Sequence, residues 1–149
     1  MLGLKIDQDA WIVVGDGERA LFLRNKGDAE FPNLEMIRVI ESENPATSEQ
    51  GSARPGRFSD GPSEHKSAAE QTDWHLLEKH RFAKELSETL YKAAHKGKFD
   101  KLVVVAPPLI LGDLRKNMHV EVKSRIIAEV DKELTKHPVH KIEEILTAR

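Results

Sequence analysis

The sequence predicts an α/β fold: one mixed sheet with helices packed on it, in the order β-β-β-α-β-α-β-α, as a single domain over 1–149. Three observations predict it. Short strand-like runs separated by turn signals occupy the chain up to Glu41. From Trp74 to Lys96 apolar residues recur at helical spacing. The run Leu102-Val103-Val104-Val105-Ala106 then opens an alternation of strand and helix signals, which favours parallel strands joined by crossovers.

Ala10-Trp11-Ile12-Val13-Val14-Gly15 is apolar and rich in β-branched residues, the pattern of a central strand buried on both faces. Asp16-Gly17 is a tight-turn dipeptide, so Arg19–Arg24 returns antiparallel. A second turn region, Asn25 to Asn33, leads to Leu34–Glu41. Alternation there groups Leu34, Met36 and Arg38 on one face, and Ile37 and Val39 on the other. In the long helix Phe82, Leu86, Leu90 and Ala94 repeat every four residues, with Asp73 expected as the N-cap and Gly97 as a left-handed end. Pro107-Pro108 stops the next strand, and Leu109–Met118 is a short helix. After His119 the pattern fits either a continued helix or a strand at Ile126–Val130. Pro138 suits the first turn of a last helix that uses Val139, Ile142, Ile145 and Leu146. With the strand reading, the order is that of a ribonuclease H-like sheet, three antiparallel strands followed by two parallel ones.

Residues 42–73 break this pattern. They read SENPATSEQGSARPGRFSDGPSEHKSAAEQTD, with Phe58 their only large apolar side chain. So polar a stretch buries too little to offset the entropy of ordering it. Loops this long inside a compact domain are usually functional or disordered. Arg54, Arg57, Phe58, His65 and Lys66 form its best interaction patch, because arginine forks onto phosphate and phenylalanine stacks on a base. Glu43, Glu49, Asp60, Glu64 and Glu70 outnumber these cations in the same stretch.

Composition narrows the classes. The formal net charge is −2, which argues against a strongly basic nucleic-acid binder while leaving room for a local basic patch. The chain has no cysteine, which excludes disulfides, thiolate nucleophiles and Cys-ligated metal. MLGLKIDQDAWIVV lacks the form of a secretory signal, and no apolar run approaches the roughly 20 residues that span a bilayer. The expected location is the cytoplasm, with no membrane insertion and no cofactor.

Chemistry-bearing clusters are sparse. Asp16 at a strand end and Asp113 after the next buried strand are the candidates for a metal-dependent nuclease, which needs several converging carboxylates. Asp16 also reads as a turn residue, and Asp113 as a residue near a helix start. His75 and His80 are five apart and point about 140° from each other on a helix. His137 and His140 have no separate element supplying further ligands. Ser59, Asp60 and His65 hold the letters of a hydrolytic triad with nothing to orient them. Lys79, Lys84, Lys92, Lys96, Lys98 and Lys101 interleave with Glu78, Glu85 and Glu88, the pattern of a solvated face.

AWIVVGDGERALFLRNKGDAEFPNLE, ENPATSEQGSARPGRFSDG, TDWHLLEKHRFAKEL, LVVVAPPLILGDLR and EVDKELTKHPVHKIEEIL together resemble the bacterial host attachment family. Its members are described as required for attachment to host cells. That family is grouped with bacterial relatives of the central domain of archaeo-eukaryotic peptide release factors. In those factors the loop between the third strand and the long helix carries Gly-Gly-Gln, which helps water cleave the peptidyl-tRNA ester. Here the position matches and the motif does not: Gln50 follows Ser48-Glu49, and Gln71 follows Ala69-Glu70. The resemblance therefore implies a non-enzymatic, release-factor-like binding protein. Its expected partner is the ribosome or a structured RNA, met through Arg54, Gly56, Arg57, Phe58, His65 and Lys66. A protein partner is the alternative, with an indirect route to attachment. The edge strand Leu34–Glu41 is open to pairing in a homodimer.

Overall fold

The computed structural model describes residues 2–42 and 68–148. Strands β1 (Trp11–Gly15), β2 (Arg19–Asn25) and β3 (Leu34–Glu41) form an antiparallel meander. Strands β4 (Leu102–Ala106) and β5 (Ile126–Asp131) join it in parallel, giving the order β3-β2-β1-β4-β5. β3 is an edge strand, as its sequence position led us to expect. Helices α1 (Ala68–His95), α2 (Pro108–Asn117), α3 (Val120–Lys123) and α4 (Val139–Thr147) complete the fold.

Both faces of the sheet are covered. On one, Val13, Phe22 and Val104 pack against Phe82, Leu86 and Leu90 of α1 and Ile110 and Leu114 of α2. On the other, Ile12, Val14, Leu23, Val103 and Val105 meet Ile142 and Leu146 of α4. Double burial is why β1 and β4 read as continuous apolar runs. The N-terminal segment closes the far end of α4: the N–H groups of Gly3 and Leu4 donate to the carbonyls of Ala148 and Leu146, both at 2.9 Å. Carbonyls left without a helical partner are thereby satisfied. Gly97 ends α1 at φ +71°, with its N–H bonded to Ala94 O and that of Lys98 to Ala93 O, the two bonds of a Schellman cap.

The structure departs from the sequence pattern in three places. α1 begins at Ala68, so residues 68–73 belong to the helix and not to the polar loop, and Asp73 lies inside it instead of capping it. Ala68-Ala69-Glu70-Gln71 are strong helix formers, and no glycine or proline stops the helix from extending back through them. In β3 the ladder shifts register opposite Phe22/Leu23. Met36 pairs with Leu23, but Arg38 pairs with Phe22, so Arg38 and Met36 fall on opposite faces. The open choice after His119 resolves as a four-residue helix followed by β5, and Pro138 stands at the N-cap of α4, one place before its first turn.

Candidate functional site

β3, β1, β4 and β5 all point the same way, so their C-terminal ends share one edge of the sheet. The polar segment leaves β3 at this edge, and the β1–β2 hairpin anchors its departure. Ser42 N donates to Glu18 O at 2.7 Å. Asp16 organises the hairpin, its Oδ1 accepting the N–H groups of Glu18 at 2.8 Å and Arg19 at 2.9 Å. Its Oδ2 accepts the Thr135 hydroxyl at 2.7 Å. Gly17, at φ +106°, is pressed under the helices: a Cβ there would lie 2.9 Å from Lys79 Cγ and 3.2 Å from Ile110 Cδ1. Only a residue without a side chain lets the turn sit so close.

The segment returns to the fold through α1, and α1 is long for its sheet. Its 28 residues span about 42 Å, whereas the eight residues of β3 span about 26 Å. Among the described side chains of α1, the first in the hydrophobic core is Phe82. Before it, Trp74, Leu76 and Leu77 are exposed, and the Nδ1 atom of His75 is buried with no hydrogen-bond partner among the described residues. Glu78 is buried and accepts from Arg81 at 3.0 Å. His80 pairs through Nδ1 with Asp113 of α2, the imidazole 43% exposed and the carboxylate 10%. This pair fastens the middle of α1 to α2 and fixes which imidazole nitrogen is left outward.

Residues 9–146 match the sequence pattern of bacterial archaeo-eukaryotic release factor family 12. The chain belongs to that family. Among solved structures, this family 12 chain is similar to an archaeal translation termination factor, aRF1, at 14% identity and a TM-score of 0.42. The likeness covers 93% of this chain and 35% of that one. A second archaeal protein is similar at 13% identity and a TM-score of 0.40, over 91% of this chain and 38% of the other. The family 12 chain thus spans little more than a third of either structure. No curated protein matches it.

The residues expected to make the contact, Arg54, Gly56, Arg57, Phe58, His65 and Lys66, lie outside the described residues of this family 12 domain. Ser42, where their segment leaves β3, is tied to Glu18 on a platform built by Asp16, Gly17 and Lys79 of α1. Asp16 and Asp113, the candidates for a nuclease site, are engaged otherwise: Asp16 by two backbone N–H groups and Thr135, Asp113 by His80. Among the described residues no three His, Asp or Glu come together to hold a metal ion. His137 and His140 stay exposed around the start of α4. Sequence reading missed Thr135 and Lys79 as parts of this platform, since no local pattern marks either as a partner of the first hairpin.

Proposed function

We propose that this chain is a binding module of the translation apparatus that contacts the ribosome or structured RNA through the segment between β3 and α1. The observation that carries the reading is membership of a release factor family over residues 9–146. The long polar segment falls between the third strand and the long helix, where the resemblance places the working loop. The sheet is read as ribonuclease H-like, from its strand order. Arg54 and Arg57 would fork onto phosphate, Phe58 would stack on a base, and His65 and Lys66 would add charge. Gly56 would let backbone approach the ligand closely. Neither Gln50 nor Gln71 follows a glycine pair, and Gln71 is part of α1. The role is therefore that of an adaptor or rescue factor rather than a hydrolase of peptidyl-tRNA. An influence on attachment to host cells would run through the synthesis of surface components.

Ribosome co-sedimentation of the purified chain across a salt series tests this reading. Binding that weakens with salt, and that is lost in Arg54→Ala/Arg57→Ala or when residues 43–67 are replaced by a short Gly/Ser linker, is the expected result. Co-sedimentation unchanged by both alterations would overturn the assignment to this segment.

A further inference from the structure

At the other end of α1 a groove of about 340 Å³ opens between the helix and β3. Its floor is apolar: Trp11 of β1 and Phe22 of β2 meet edge-on, their ring centroids 6.1 Å apart, and Ile37 of β3 lies beside them. Its walls are cationic. Lys92, Lys96 and Lys98 stand on one side and Arg38 on the other, and among the described residues no carboxylate lines the groove. All four cations are exposed, and none has an ion-pair partner among the described residues.

Two features of the chain make this groove. The register shift in β3 brings Ile37 and Arg38 together into its lining, where strict alternation would separate them. Across from them α1 presents the small side chain of Ala93 beside Trp11, which is partly buried and whose ring also packs on Phe99 at a centroid distance of 5.0 Å. Lysines near a helix C-terminus favour its carbonyl ends, which accounts for Lys92 and Lys96. Arg38 reaches the groove from β3, so that account does not extend to it.

We propose that this groove binds a segment of single-stranded RNA, with a base against Trp11 and Ile37 and the flanking phosphates on Arg38, Lys92 and Lys96. The charge is complementary to phosphate, the volume is within the range of small-ligand pockets, and an aromatic floor flanked by cations is what single-strand recognition requires. A peptide of acidic residues would use the cations and leave the ring unoccupied. The proposal rests on the reading above only in taking RNA as the ligand class. The groove is a second contact, lined by the last turns of α1 and by β3.

The test is fluorescence anisotropy of a labelled eight-nucleotide oligouridylate with the full chain, over a salt series. Expected is salt-sensitive binding whose log–log slope is about −2 to −3 for three to four neutralised phosphates. Lys92→Ala/Lys96→Ala should weaken binding at least tenfold and reduce the slope by about 1.4. Arg38→Ala should weaken it several-fold, and Lys116→Ala/Lys136→Ala, two exposed lysines outside the groove, should change it less than twofold. Circular dichroism of each variant confirms that the fold is retained. Absence of binding at low salt, or binding indifferent to Arg38, Lys92 and Lys96, overturns the proposal. So does displacement of the RNA by polyglutamate as effectively as by unlabelled oligouridylate, which would assign the groove to an acidic protein. Arg54→Ala/Arg57→Ala separates the two readings. If that variant loses ribosome co-sedimentation and keeps oligouridylate binding, both sites stand; if ribosome binding never depended on it, only the segment reading falls.

Discussion

The Thr135 hydroxyl donates to Asp16 Oδ2 at 2.7 Å, joining the first hairpin to the connection after the last strand across 119 positions of sequence. Thr135 is buried, and it is the only side chain bonded to Asp16 among the described residues. The bond holds the turn that in turn holds Ser42, so it stabilises the exit of the polar segment. Thr135→Val keeps the shape and removes the donor. It should lower stability by about 1–2 kcal/mol, read as a lower urea midpoint with an unchanged m-value. An unchanged midpoint would mean that water replaces the hydroxyl and the tie is dispensable.

Gly17 and Gly97 both have positive φ, at +106° and +71°, but only Gly17 is crowded. At Gly97 an added Cβ meets nothing within 4 Å, so Gly97→Ala should cost only the left-handed penalty of about 1–2 kcal/mol. At Gly17 the Cβ would also press on Lys79 and Ile110, and Gly17→Ala should be the more destabilising of the two. Lys79 is a flexible side chain and can yield; Ile110 is buried in the core and yields less readily. Thermal melts of the two variants give the order directly, and the reverse order would contradict the tight seat of the hairpin.

The parts of the fold that sequence alone revealed are those whose signal is local. β1 and β4 declare themselves because doubly buried strands read as continuous apolar runs, β2 because its apolar run follows the Asp16-Gly17 turn, and Gly97 because left-handed backbone favours glycine. The start of α1 was hidden: Ala68–Asp73 is polar enough to pass for loop, although its residues are good helix formers. The shift in β3 was hidden too, since a period of two cannot reveal where the ladder slips. At the candidate site, Asp16 was legible as a turn residue but its partner Thr135 was not, nor was the meeting of Arg38 with Lys92 and Lys96. These juxtapositions depend on sheet order and helix placement, which no short pattern encodes.

Asn25 shows the same limit in the second turn. It is fully buried, its Nδ2 donating to Ile6 O at 2.7 Å and Asp28 O at 3.2 Å. Its Oδ1 accepts the N–H groups of Gly27 and Asn33, each at 2.9 Å. One amide thus satisfies backbone groups from three stretches of chain. Asn25→Ala would leave several of them buried without partners, and should cost about 2–4 kcal/mol. Asn25→Asp keeps the acceptor but buries a carboxylate against the carbonyls of Ile6 and Asp28, so its denaturant midpoint should fall at least as far as that of Asn25→Ala. A midpoint for Asn25→Asp close to wild type would show that the donor side carries little of the effect.

Along α1 the core stripe that starts at Phe82 contrasts with the exposed Trp74, Leu76 and Leu77, and substitutions should show the contrast. Leu90 is fully buried in the core between helix and sheet, whereas Leu77 is 48% exposed. Leu90→Ala removes buried methyl groups and leaves a cavity, which should cost about 2–5 kcal/mol. Leu77→Ser should change stability by no more than about 0.5 kcal/mol, as surface substitutions do. If the exposed Trp74, Leu76 and Leu77 of α1 serve a partner, Leu77→Ser is also the variant that weakens ribosome co-sedimentation without moving the denaturant midpoint. A midpoint loss above 1 kcal/mol in Leu77→Ser would instead mean that Leu77 is covered in the folded chain. Its exposure could then carry no argument for a contact surface.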